Sequence, residues 1–193
     1  MRTTILVLVT LVLAWVGYIV WPPHDLFQLV RAIERADVAE VRRHVDFPRV
    51  THSLAQQIVE AYLQRTGTRA GPLLPGAAAS IADPIVAKLT SPEALAELLR
   101  DGWPRAVLPE RPSDALGISI DSLGTVWQLF VASDYGIGRY EVPVPIAQPP
   151  ERTFRVQLRL VRWRWRLSAV GLPERIRFAL ADELIKLTKP PTQ

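Results

Sequence analysis

Between Thr3 and Trp21 the chain carries no charged side chain. Within that stretch Ile5, Leu6, Val7, Leu8, Val9, Leu11, Val12, Leu13, Ala14, Trp15 and Val16 place apolar groups on every face a helix could present, so the segment is not amphipathic. Nineteen residues at about 1.5 Å each reach about 28 Å, close to the roughly 30 Å hydrocarbon core of a bilayer. Trp15, Tyr18 and Trp21 gather at its C-terminal end, where amphipathic rings favour the headgroup layer, and Pro22-Pro23 should then stop the helix. Residues 3–21 are therefore expected to contact the lipid bilayer as an uncleaved signal anchor. Two alternatives stand beside this one. A cleaved signal peptide fits Arg2 and the apolar run, but no small-x-small site precedes Pro22; a buried core helix, which can also be apolar all round, is the other. The inside-positive signal is only Arg2 and the amino terminus against Arg31 and Arg35 further beyond the span, and on it the body is expected outside the cytoplasm.

The body that follows is long enough for a core, and its chemistry is limited. The chain has no cysteine, which excludes disulfides, thiolate metal sites and a cysteine nucleophile. Its 49% hydrophobic and 22% charged residues exclude a disordered polypeptide.

From His24 onward the pattern divides into a helical half and a strand-rich half. Leu26, Val30 and Ile33 form one helical stripe behind a capping Asp25. Asp37-x-x-Glu40 opens a second helix with Val38, Val41 and Val45 inward. Pro48 sits in the first turn of a third, where Val50, Leu54, Ile58 and Tyr62 share a face until Gly67. Gly67 to Gly76 reads as a loop. A fourth helix should carry Ile81, Ile85 and Leu89, with Asp83 as its cap and Pro84 in its first turn. Thr90-Ser91-Pro92-Glu93 starts a fifth, with Leu95, Leu98 and Leu99 inward and Gly102 at its end.

Beyond Pro112 the period changes from 3.6 to 2. Ile118 and Ile120 alternate with polar residues, Val126 to Ala132 is β-prone, and Tyr140, Val142 and Val144 alternate up to Pro145. Phe154, Val156, Leu158 and Leu160 oppose Arg155, Gln157 and Arg159. Trp163, Trp165, Leu167 and Ala169 should point inward against Arg164, Arg166 and Ser168. A last helix begins at Pro173 with Ile176, Leu180, Leu184 and Leu187 inward. The order of elements predicts an α+β fold: an N-terminal transmembrane helix, amphipathic helices on one face of a curved antiparallel sheet, which an NTF2-like cone would also satisfy, and a C-terminal helix. The expected divisions are 1–23 as anchor, 24–173 as the α+β domain, and 174–193 as C-terminal helix and tail.

Three stretches carry a family resemblance. Arg35-Ala36-Asp37 with Val45-Asp46-Phe47-Pro48-Arg49-Val50, Ser53-Leu54 and Gln57 is one. The second is Asp83-Pro84-Ile85-Val86 with Leu89-Thr90-Ser91-Pro92-Glu93, and the third Trp165-Arg166-Leu167-Ser168 running to Leu172-Pro173. Together they resemble DUF2939, a family of bacterial proteins with a hydrophobic N-terminal segment and one such domain. The resemblance implies a single-pass protein of the bacterial cytoplasmic membrane. It implies no catalytic residue and no cofactor, since the family has no assigned activity.

The residues themselves point to no reaction. His24, His44 and His52 include no pair at i, i+4 and no His-Glu-x-x-His, so no metal site is expected; His44 and His52 could meet only across the Asp46-Phe47-Pro48 turn. Gly136-Ile137-Gly138 lacks the third glycine of a dinucleotide loop and reads as a hairpin turn. Gly117-Ile118-Ser119 has Asp121 where a nucleophile elbow needs glycine. Glu97 and Asp101 fall on a solvent face.

Charge is the signal that rises above background. Residues 24–151 hold 12 basic and 16 acidic side chains, net −4, whereas residues 152–177 hold eight arginines and Glu174, net +7. Alternation puts Arg155, Arg159, Arg164 and Arg166 on one sheet face, a patch that needs counter-charges. It can be a solvated face, a surface for anionic lipid, or a contact for a membrane protein. Nucleic acid is disfavoured because the spacing of Trp163 and Trp165 turns them inward, away from any base. The function expected is a non-catalytic binding or interaction module at the membrane surface, the alternative being a ligand-binding or enzymatic cavity between sheet and helices.

Overall fold

The computed structural model describes residues 2–67, 75–110, 132–144 and 153–188. Helix α1 (Arg2–Glu34) is a single rod of 33 residues, and the break expected at Pro22-Pro23 does not occur. Both prolines lie inside it, removing the N–H groups that would bond the carbonyls of Tyr18 and Ile19. An interior proline costs about 3 kcal/mol relative to alanine. Burial offsets it: Pro22 is itself buried, and Leu26, Leu29, Val30, Ala32 and Ile33 pack into the body just beyond. Asp25, expected as a cap, is mid-helix, and its Oδ2 accepts the backbone N–H of Trp165 at 3.2 Å. The helix closes on Ala36 in the left-handed region (φ 53°), with Asp37 N–H donating to Ala32 C=O at 2.9 Å and Ala36 N–H to Ile33 C=O at 3.1 Å.

Helices α2 (Val38–His44) and α3 (Phe47–Thr66) each start on a capping aspartate. Asp37 accepts from Glu40 N–H at 3.0 Å and Asp46 from Arg49 N–H at 3.4 Å. Val50, Leu54 and Ile58 are buried along one face of α3, which stops at a left-handed Gly67. Helix α4 (Pro75–Leu89) begins earlier than expected, with Pro84 in its interior and not in its first turn; the buried stripe of Ala82, Ile85, Val86 and Leu89 carries it through. Helix α5 (Pro92–Asp101) follows its signals, Ser91 capping Ala94 N–H at 3.1 Å and Gly102 ending it.

Strands β1 (Asp134–Gly136), β2 (Arg139–Val144), β3 (Phe154–Val161) and β4 (Arg164–Gly171) form an antiparallel sheet in that order. Among the described residues the sheet is open and not a closed cone. The Ile137-Gly138 turn joins β1 to β2, as Gly136-Ile137-Gly138 suggests. The readings at Gly117-Ile118-Ser119 and Val126 to Val131 lie outside the described residues; Ala132, at the end of the latter run, is helical.

One irregularity changes the reading of β4. Leu158 faces Leu167 but Gln157 faces Ala169, so Ser168 is an extra residue, its Oγ donating to Gln157 C=O at 3.2 Å. Alternation is re-phased there. Trp165 and Leu167 are buried as expected, and then Ser168 and Val170 are, leaving Ala169 half-buried on the outer face. Trp163 lies in the turn before β4 and is 77% exposed, where the alternation had it inward.

The free edge of β4 is covered group by group. Asp25 takes Trp165 N–H, Asp46 N–H donates to Leu167 C=O at 2.8 Å, and the Gln57 amide donates to Val170 C=O at 2.9 Å and accepts Leu172 N–H at 2.8 Å. Helix α3 therefore lies along that edge and also packs on α4 and on α6 (Glu174–Thr188). Ile176, Leu180 and Leu184 of α6 are buried, but Leu187, expected inward, is 58% exposed because the helix outruns the core it covers.

Candidate functional site

The outer sheet face is built by odd-numbered positions of β2 and β3 and by Arg164 and Arg166 of β4 ahead of the bulge. Pairing places Arg139 opposite Arg159, and Arg159 opposite Arg166, so three arginines stand in one row across three strands. Arg164, paired with Val161, is the next outward position toward the β3–β4 turn. All four arginines singled out from the sequence, Arg155, Arg159, Arg164 and Arg166, thus share a face, but only the last three are grouped. Arg155 is four residues down β3 from Arg159, about 13 Å. There it faces Gly171, where an added Cβ would come within 3.0 Å of the Arg155 Cβ.

Counter-charge on this face is sparse. Glu141 hydrogen-bonds Arg139 and stands 3.8 Å from the Arg155 guanidinium. That carboxylate raises the Arg139 pKa, first by the hydrogen bond and then by charge. Among the described residues Arg159, Arg162, Arg164 and Arg166 have no carboxylate within ion-pair distance, and Arg166 Nε is buried without a hydrogen bond. Beside the row, burial pushes the Tyr140 phenol above its ordinary range, and burial together with Tyr140 does the same to Tyr135.

Sequence reasoning missed Arg139, Arg162 and Trp163 as parts of this region. Arg139 could have been found, since it precedes the inward Tyr140, Val142 and Val144 by the same alternation that marks the others. Arg162 and Trp163 form the β3–β4 turn itself, and nothing in period-2 patterning separates a turn from a continued strand.

The region abuts α1. The Gly138 N–H donates to the Tyr18 hydroxyl oxygen at 2.7 Å, the Tyr18 O–H donates to Gly136 C=O at 3.3 Å, and the Tyr18 and Trp165 rings are 5.9 Å apart, tilted. An open cleft of about 350 Å³ lies between Trp21 and Trp163, with Asp25, Glu40, Arg43 and His44 along it. Another, of about 410 Å³, is lined by Gln57, Arg155, Glu174 and Arg177 at the far end of the sheet.

The first cleft holds one imidazole–carboxylate pair, His44 Nδ1 standing 3.5 Å from the Glu40 carboxylate. His44 Nδ1 is 3.0 Å from Glu40 C=O, His24 is paired with Gln28 at 2.9 Å, and His52 is exposed. Among the described residues no three His, Asp or Glu side chains converge as metal ligands, and the buried polar residues are Thr153 and Ser168.

Comparison with known proteins adds one match. Residues 11–98 fit the family model DUF2939, a protein of unknown function. The matched segment runs from the apolar half of α1 into α5 and takes in the first two stretches that carried the resemblance. The third, Trp165 to Pro173, falls outside it. No curated protein and no solved structure matches the chain. Within the matched segment, Asp46 and Gln57 serve the edge of β4, a structural duty.

Proposed function

We propose that the protein is a single-pass, membrane-anchored interaction module, with its DUF2939 domain held at the surface of a bacterial cytoplasmic membrane on the extracytoplasmic side. The observation that carries this reading is α1. No described residue in the most apolar eighteen-residue window of that helix is buried, Tyr18 near its end making its contacts from a half-exposed position, while the last turns supply body core. A helix apolar all round and packed against no protein finds its solvent in lipid. Tyr18 supports an uncleaved anchor, because processing C-terminal to it would strip a hydroxyl from the β1–β2 turn.

The basic face supplies the interaction. Three grouped arginines without carboxylate partners, joined by Arg139, favour an anionic lipid surface, to which each basic side chain contributes about 1 kcal/mol.

Two measurements test the reading. The full chain should resist alkaline carbonate extraction, and protease added from outside should digest the body; a chain released by carbonate defeats the anchor, and full protection reverses the orientation. In nanodiscs, acidic lipid should raise the melting temperature of the full chain over neutral lipid, the gain vanishing in high salt and when Arg159, Arg164 and Arg166 are replaced by Gln. Equal melting in both lipids removes the basic face from the function.

A further inference from the structure

We infer that the body is seated in the membrane interface by its two hairpin tips, Ile137 of the β1–β2 turn and Trp163 of the β3–β4 turn, whose side chains enter the lipid headgroup layer beside the emerging helix. This rests on the anchor reading above and adds a second, independent set of lipid contacts to it.

Depth is the first argument. A span of about 28 Å needs the helix as far as Trp21. Yet Tyr18 is already held by the β1–β2 turn through Gly138 N–H at 2.7 Å, and its ring meets Trp165 just past the β3–β4 turn. If the body stood clear of the bilayer, Tyr18 would be drawn out with it. Thr3 to Gly17 would then remain, about 22 Å, well short of the hydrocarbon thickness. The turns bonded to Tyr18 therefore lie at the depth of the interfacial aromatic residues.

Exposure is the second. Beyond α1, the most exposed large apolar side chains among the described residues are Ile137 at 105% and Trp163 at 77%. They occupy the two turns at the same end of one sheet, the end that meets α1. Tryptophan is the side chain that the headgroup layer favours.

Backbone conformation is the third. Arg162 and Trp163 have φ of 51° and 62°, the pairing of a two-residue turn with both residues left-handed, which asparagine and glycine adopt with least strain. An arginine and a tryptophan are held there against local preference, and neither packs into the core. Behind the tips Arg162, Arg164 and the Arg139–Arg159–Arg166 row stand where lipid phosphates would be.

Because the chain has no cysteine, single nitroxide labels report depth directly. The full chain, in nanodiscs of zwitterionic and acidic phospholipid, would carry Thr10→Cys, Ile137→Cys, Trp163→Cys or Glu174→Cys, the last just past the far end of β4, a strand about 26 Å long. Accessibility to oxygen against a water-soluble relaxation reagent should put Thr10 in the acyl region, residues 137 and 163 at headgroup level, and Glu174 in water. Labels at 137 and 163 as wet as the one at 174, with Thr10 deep, overturn the seat, keep the anchor and leave the tips free for a protein partner. A wet Thr10 overturns the anchor and the seat together. A companion variant, Arg162→Asn with Trp163→Gly, should raise the melting temperature of the full chain while making the 137 label measurably wetter; an unchanged 137 depth overturns the role of Trp163.

Discussion

The two ends of α1 share one backbone and differ in everything their side chains meet. From Arg2 to Gly17 the helix is apolar all round and lies against no other element; from Pro22 to Glu34 one side is buried against α2, α5 and β4 and the other is polar. The contrast teaches that a helix's environment is written in the angular spread of its apolar residues, not in their number. It also teaches that Pro22-Pro23 marks a change of environment and not an end of structure, because the packing of Leu26, Leu29 and Ile33 outweighs two missing hydrogen bonds.

The comparison can be broken at its junction. Trp165, buried against Tyr18, should cost about 3–5 kcal/mol when replaced by Ala, whereas its strand neighbour in Arg164→Ala should cost within about 0.5. Equal effects in chemical denaturation would mean that the register of β4 ahead of the bulge is wrong. It can be sharpened with one residue type at two depths. Leu29→Ala should destabilise the body by about 2–5 kcal/mol, and Leu8→Ala should leave it within about 0.5. A comparable loss at Leu8 would erase the distinction between the halves.

Smaller effects probe the connection itself. Asp25→Ala removes the acceptor for Trp165 N–H and should cost about 1–3 kcal/mol, measured as a shift in the denaturation midpoint at unchanged slope. No shift would mean that α1 is not clipped to β4. Ala36→Gly, at the left-handed close of the helix, should stabilise the body by about 1 kcal/mol, since glycine adopts that conformation without the Cβ penalty. Destabilisation there would mean that the helix ends otherwise.

Much of this was legible because local chemistry decides it. Asp37, Asp46 and Ser91 cap helices because a side-chain oxygen beside free N–H groups has few other uses, and Tyr140, Val142 and Val144 alternate because a sheet has two faces. The DUF2939 resemblance was legible from short strings for the same reason. What escaped was set by distant partners. The bulge at Ser168 depends on a partner eleven residues away on the neighbouring strand, and the continuity of α1 depends on a body that buries its second half. Asp25 and Gln57 looked like a cap and a motif residue, but both serve the open edge of β4. The arginine face was visible as four positions; its actual grouping, with Arg139 in and Arg155 apart, needed the register.

The absence of a joint in α1 has a mechanical consequence. A globular head on a flexible leash can swivel and tumble, keeping no memory of how its anchor lies. Here the apolar segment and the core are one continuous helix, clamped to the sheet through Tyr18 and Asp25, so under the proposed anchoring the head inherits the tilt and rotation of the shaft. Whatever leans the shaft, a thinner bilayer or a neighbouring helix, turns the arginine row with it.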